Sequence, residues 1–585
     1  MRRAAARRRR IAAGAAVTIA GIASSASAAS AIEVNSLQDP GSGNCNDGTC
    51  TLREAVAQAN AAPDASTITF KAGLAGKINL SSAIGAGQLD IASPMTIQGP
   101  GPGQLTISGD TGNDGTANVR VLYAFAGGGP STISGVTIAD GSGRADAASP
   151  YGEGGLIYQA YSDLTLNDVV MTGGYTTNGP GGAIYSQESQ LTVTDSTIIG
   201  NTAITTAGTG GAIQANDTSA QPRTSSLTIS DTTIADNKAI GDGGGVLSNG
   251  VPNVRIERST VSGNTAAAAA SIGGGVVFNA VAGTLAVSDS TFSGNSAGAD
   301  GGAMVLRAGT VRIDNTTIAG NSVKPPAPAG TSGGIRRTGT PNQTTISSSI
   351  LADNTPSDLS SASAASPVAV GSSLIEAPVS GGAILESPLG SNVTGVDPQL
   401  GPLAANGGPT LTQALPASSP AIDKGVANGL GTDQRGLARS SGAGTDMGAF
   451  EFQVDSSIDA PNVSAKKTQK VKGSKVRVVV DAGAGEAVQL SATGSVSPPK
   501  KTRGRIVRKG KKPVAFKRVT GSAAAGATSK LTLVPAKKSA GRKLARALAK
   551  GGKAKASIEV VLKDAAGNTD TEKVTVTLKG SKKKK

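Results

Sequence analysis

No histidine and no tryptophan occur among the 585 residues, and all aromatics together make up 2% of them. The missing imidazole excludes His-based triads, His-ligated zinc and imidazole acid–base chemistry. The missing indole removes the best stacking platform for sugar rings or bases. Catalysis, if any, falls to carboxylates, Lys, Arg, Tyr or a hydroxyl. Only two cysteines occur, Cys45 and Cys50, in the short loop Cys45-Asn46-Asp47-Gly48-Thr49-Cys50. A metal site there would need further ligands and has no histidine to draw on, so one local disulfide, formed in an oxidising compartment, is expected. Long apolar runs are absent too. The one candidate, residues 11–23, is short and Ala-rich, below what a bilayer requires, so no transmembrane span is expected.

What the chain has is glycine, 81 residues of it, and a loose repeat. Leu191-Thr192-Val193-Thr194-Asp195-Ser196-Thr197-Ile198 is followed by Asn201 and by Gly210-Gly211-Ala212-Ile213. The phrase returns at Leu227 with Asn237 and Gly244-Gly245, at Val254 with Asn264 and Gly274-Gly275, at Leu285 with Asn295 and Gly301-Gly302, and at Val311 with Asn321 and Gly333-Gly334. A single copy cannot bury its own apolar face, so stacked copies must share a continuous core. Small β-branched residues suit narrow stacked strands, and glycine supplies corners of positive φ. Asn at each corner tolerates left-handed geometry, and stacked amides form hydrogen-bonded ladders. The expectation is an all-β solenoid over residues 67–395.

Charge divides the chain. Residues 29–455 hold 17 basic and 33 acidic side chains, whereas residues 456–585 hold 32 basic and 7 acidic. Residues 1–28 combine six arginines, an apolar stretch and Ala26-Ser27-Ala28, the pattern of a cleaved secretory signal. In the basic stretch, residues 475–480, 557–562 and 573–578 read as strands of a small Ig-like β-sandwich, with a short helix over 544–549 and a closing run Lys582 to Lys585.

Thr51-Leu52-Arg53-Glu54 has the form of a capping box, with Thr51 as the cap and Glu54 reaching back to it. Leu52, Val56 and Ala59 follow at helical spacing. From Cys50 through Ala55 to Asn60 this segment resembles the CSLREA module of secreted bacterial proteins, which precedes right-handed parallel β-helices. The resemblance implies that residues 29–66 cap such a helix. Phe292-Ser293-Gly294-Asn295 and the Gly-Gly-Ala phrases are similar to polymorphic outer-membrane-protein repeats. Residues 396–455 carry Asp397-Pro398-Gln399-Leu400, Ser419-Pro420-Ala421-Ile422-Asp423, Thr432-Asp433-Gln434-Arg435-Gly436 and Asp446-Met447-Gly448-Ala449-Phe450-Glu451. That order resembles the choice-of-anchor Q region, which implies a final, C-terminal coil region of the solenoid.

Two sets of charged residues are candidates for chemistry. Asp168, Asp195, Asp231 and Asp289 share the fifth place of the repeat, with Arg258 and Asn315 there in two copies. Recurrence favours a structural role, each Asp bonding local backbone at a turn. Such a carboxylate ladder could still bind Ca²⁺, although no Asp-x-Asp-x-Asp phrase occurs, and no cofactor is otherwise expected. Asp423, Asp433, Arg435, Asp446 and Glu451 form the densest constellation. Two carboxylates near an arginine suit a glycosidase pair, or an ion-pair network pinning the last coil. The anchor-Q resemblance favours the second, and no catalytic residue is assigned. The whole reads as a secreted cell-surface β-helix, a non-catalytic adhesion or ligand-contact rod held by its basic domain to anionic envelope polymers or surface glycans. A polysaccharide lyase or hydrolase acting on acidic polymers, and a structural coat protein, are the alternatives. Nucleic acid is not expected as a partner, because the aromatics for base stacking are scarce.

Overall fold

The structure is a computed structural model that describes residues 30–39, 43–81, 87–125, 129–143, 152–204, 208–218, 225–339, 343–362, 367–377, 384–388, 391–453, 457–473, 475–498, 502–503, 506–507, 512–564 and 568–581. The signal-like segment and the closing lysines lie outside the described residues. The chain divides into two compact units, the first ending at Phe452 and the second beginning at Gln453.

The first unit is a parallel β-helix. Ile184, Ile213, Val246, Val276, Met304 and Ile335 pair in register from coil to coil. Leu191, Leu227, Val254, Leu285 and Val311 form a second column. Ile198, Ile234, Val261, Phe292, Ile318 and Leu351 form a third. All three columns are buried in one continuous core. Period-two alternation along each strand is the cause: the apolar residues of each column point inward, and their neighbours along the strand, such as Thr192 and Thr228, point out. The Gly-Gly phrase reflects close coil contact. A Cβ on Gly182 would lie 2.1 Å from the Gly211 carbonyl oxygen, and one on Gly302 would lie 2.5 Å from that of Gly333.

The asparagines stack as a ladder. The Nδ2 amides of Asn201, Asn237, Asn264, Asn295 and Asn321 each donate to the Oδ1 of the next coil's Asn at 2.9 Å, ending on Asn354. The same Oδ1 atoms accept the preceding backbone N–H, as Asn295 does from Asn264 at 3.1 Å. Asn354 closes the series on the buried carboxylate of Asp358 at 2.8 Å. A buried donor left without its acceptor costs about 1–3 kcal/mol. Asn295→Ala is therefore expected to destabilise the first unit by about 2 kcal/mol in chemical denaturation, because the Asn264 amide loses its acceptor. A loss below about 0.5 kcal/mol would show the ladder to be dispensable.

At the start, Ser30–Val34 pairs in parallel with Ser66–Phe70, and helix α1 (Leu52–Ala61) packs on both and on Leu89–Ile91. The Thr51 hydroxyl accepts from the Glu54 N–H at 3.3 Å, and Glu54 accepts from the Thr51 N–H at 2.8 Å. Arg53 pairs with Asp39 at 2.8 Å and donates to the Gly87 carbonyl at 2.7 Å. Leu52, Ala55, Val56 and Ala59 are buried. Cys45 and Cys50 are joined by a disulfide.

The second unit is a separate β structure with its own core. Lys553–Lys563 pairs antiparallel with Val488–Ser497 on one side and Thr569–Gly580 on the other. Val478–Gly483 pairs with Thr528–Leu533 in a smaller sheet. Helix α2 (Lys538–Ala549) begins earlier than the short apolar run 544–549 suggests. Its buried face is Gly541, Leu544, Ala545 and Leu548, and its basic residues face away from the core, so a hydrophobic pattern locates only its second half.

Candidate functional site

Residues 396–452 do not add a coil to the end of the β-helix, correcting the expectation of a C-terminal coil region. They fold back over the outer side of earlier coils. Their footprint follows one column of outward residues, in register as Thr260, Thr291, Thr317, Ile350 and Leu374. The Thr260 hydroxyl donates to the Leu411 carbonyl at 2.6 Å, and the Thr291 hydroxyl to Gln434 Oε1 at 2.6 Å. Gln434 Nε2 donates to the hydroxyls of Thr260 and Thr410 at 3.0 and 2.9 Å. Thr317 accepts the Ala449 N–H at 3.0 Å. Where the column turns apolar, Ile350 and Leu374 pack with Leu415, Ala421, Met447 and Phe450. Asn428 donates to Asn315 Oδ1 at 2.8 Å. The segment is a strap across five coils.

The five charged residues singled out in the sequence all lie in this strap and hold its shape. Arg435 pairs with Asp433 through Nε and Nη2 at 2.9 and 2.7 Å, and its guanidinium sits 3.6 Å from the centre of the Phe450 ring. Asp433 also accepts the N–H groups of Arg435, Leu437 and Glu451 at 2.9, 3.1 and 3.0 Å. Asp446 accepts from the N–H groups of Asp423 and Phe452 at 2.8 and 2.6 Å. Glu451 accepts from those of Ser441 and Asp446 at 3.2 and 2.9 Å. Asp423, left-handed at φ 55°, accepts from those of Ala443 and Gly444 at 2.9 and 2.7 Å. Asp433, Asp446 and Glu451 are fully buried. A glycosidase pair must face a sugar ring with room for it. These carboxylates accept hydrogen bonds from their own backbone, an arrangement that fastens a loop.

Arg439 stands outside every motif read from the sequence, yet it fastens the strap to the coils. Its Nη2 pairs with Asp289, its Nη1 donates to the Gly448 carbonyl at 3.0 Å, and Glu451 lies 3.9 Å away. Asp289 is separated from it by 150 residues, which is why no local pattern points to the pair. Burial pushes Asp289 up to about 6, against the pull of Arg439, and pushes Glu451 up to about 7, against its backbone donors. Burial also raises Asp446.

The repeat-equivalent Asp residues have a different cause from the one expected. Asp168, Asp195, Asp231 and Asp289 all have φ between 45° and 51°, as do Arg258 and Asn315 at 45°. The fifth place is a left-handed corner, where Asp and Asn are tolerated. Asp231 uses its carboxylate on Arg258, at 2.8 and 2.6 Å, and Asp289 on Arg439, rather than on local backbone. Burial and the like charges of Asp231 and Asp168 raise Asp195. Among the described residues, no group of three or more Cys, Asp or Glu is placed to hold a metal ion. Among them, too, no helix is long and apolar enough to cross a membrane.

The fold and this fastening define a parallel β-solenoid whose coils are bound by a lateral strap. A family model described as the right handed beta helix region matches residues 124–280, the coils that precede and enter the strapped section. The solenoid is accordingly a right-handed parallel β-helix. No curated protein matches the chain.

Proposed function

We propose that this is a secreted, cell-surface β-helix whose solenoid is a non-catalytic adhesion or ligand-contact rod. Its basic second unit holds it near anionic envelope polymers or surface glycans. The observation that carries this reading is the charge division: 32 basic against 7 acidic residues over 456–585, beside an acidic remainder. A unit of that charge concentrates on polyanions by long-range attraction, which salt screens. The engagement of the strap carboxylates by their own backbone supports the non-catalytic part. A β-helix is also compatible with a surface or polysaccharide-related role.

The test is sedimentation with purified cell envelopes, comparing residues 29–585 with residues 29–455 at low and high salt. Retention is expected to require the second unit and to fade as salt rises. Retention by residues 29–455 alone would sink the proposal and turn the search to the solenoid.

A further inference from the structure

The outer face of the larger sheet in the second unit is polar and basic. Register places Ser522, Gln489, Lys563 and Thr569 in one row across four strands, and Thr520, Ser491, Val561 and Thr571 in the next. The alternate residues Val488, Leu490, Ala492, Val560 and Leu562 are buried on the opposite face. Period-two geometry therefore commits the hydroxyls, the amide and Lys563 to one surface. Arg518, just before the strand Val519–Ala523, is held over that surface by a 2.7 Å hydrogen bond from Nε to the Ser491 hydroxyl. Arg518 and the outward residues of the two rows, Thr571 excepted, line a groove of about 530 Å³. The lining carries two cations, Arg518 and Lys563, four hydroxyls and an amide, with no carboxylate and no aromatic ring. On the same face of these strands, two rows along from Lys563, Glu559 is paired with Lys573 at 3.3 Å.

We infer that this groove is a binding site for a chain that repeats an anion between hydroxyls: an acidic glycan or a polyol phosphate. The inference rests on the proposed attraction of the basic unit to envelope polymers and names where on it the polymer sits. Two cations with converging hydroxyls and an amide match an anion flanked by hydroxyls. Without a ring to stack on, sugar faces and bases gain nothing there, so recognition runs through charge and hydrogen bonds.

The test uses the full secreted chain, with polygalacturonate and polyglycerol phosphate as probes at low salt. Arg518→Gln with Lys563→Gln is compared with Lys543→Gln with Arg546→Gln, which removes the same charge from the exposed face of α2. Both pairs are exposed, so melting should be unchanged. The groove pair is expected to weaken binding at least tenfold and the helix pair less than threefold. Selective loss on polygalacturonate marks the anion as a carboxylate, and selective loss on polyglycerol phosphate marks it as a phosphodiester. Equal weakening by the two pairs would overturn the groove and leave the attraction of the basic unit standing. If the unaltered chain binds neither probe, both readings fall.

Discussion

Arg439→Ala is expected to destabilise the first unit by about 3–5 kcal/mol, the usual cost of removing one partner from a buried ion pair. Arg439 is 1% exposed in its side chain and Asp289 5%, so the orphaned carboxylate has little access to water. Two further contacts go with it, the Gly448 carbonyl bond and the approach to Glu451. The pair also joins the strap to a coil, so its loss should release residues 396–452 together. Limited proteolysis should then cut within that segment before the coils open. Adding Asp289→Asn to Arg439→Ala should recover part of the loss, because the penalty lies in the unpaired charge. Arg435→Ala breaks the pair with Asp433 inside the strap and should lower the melting temperature as well, with less effect on coil contacts. An Arg439→Ala protein within about 1 kcal/mol of the unaltered chain would show that the hydroxyl and apolar contacts hold the strap by themselves.

Acidification should stabilise the first unit, the reverse of ordinary acid denaturation. A carboxylate whose pKa is higher in the fold than in the unfolded chain binds protons more tightly when folded. Stability is then gained as pH falls from the folded pKa toward the unfolded one, and is lost as pH rises through the same window. For Glu451 that window runs from about 7 down to 4.5, and for Asp289 from about 6 down to 3.8. Each tenfold tighter hold on a proton in the fold is worth about 1.4 kcal/mol, so the two together should give about 4 kcal/mol between roughly pH 7.5 and pH 5. Burial raises Asp300, Asp314 and Asp358 in the same sense. Asp110 opposes them: burial raises it, but the N–H groups of Gly115 and Asp114 and the Lys77 ammonium outweigh that and hold it low. Melting curves at the two pH values decide the matter, with Glu451→Gln expected to flatten the profile. A melting temperature that falls on acidification across this range would contradict the assignment.

The coils were legible in the sequence because each is a local phrase. Leu191, Leu227 and Val254 recur at one place in the repeat, and stacking follows from that alone. The Asn ladder was legible for the same reason, since one amide at each corner meets its copy in the next coil. Thr51 and Glu54 sit three residues apart and announce a helix start without reference to anything distant. The strap was not legible as a strap. Gln434 and Arg439 act on Thr291 and Asp289, 143 and 150 residues away, and nothing near either residue encodes that distance. One trace was present: the outward column reads Thr at 260, 291 and 317 and then Ile350 and Leu374. That switch from hydroxyl to aliphatic marks where the covering segment changes from hydrogen bonding to apolar packing. The fifth-place Asp residues were expected to bond local backbone at a turn; they stand at left-handed corners, but Asp231 and Asp289 serve ion pairs that the repeat does not specify.

A solenoid tolerates gain or loss of a coil, because each coil meets only its neighbours. Here that freedom is unequal along the chain. One extra coil between Thr260 and Leu374 would displace every later strap contact by about 4.8 Å, the spacing of adjacent strands. The hydroxyls, Arg439 and the apolar patch would all miss their partners together. Ahead of Thr260 an added coil shifts nothing that the strap touches. The strapped section therefore has a fixed gauge, and length can be adjusted only in the coils before it.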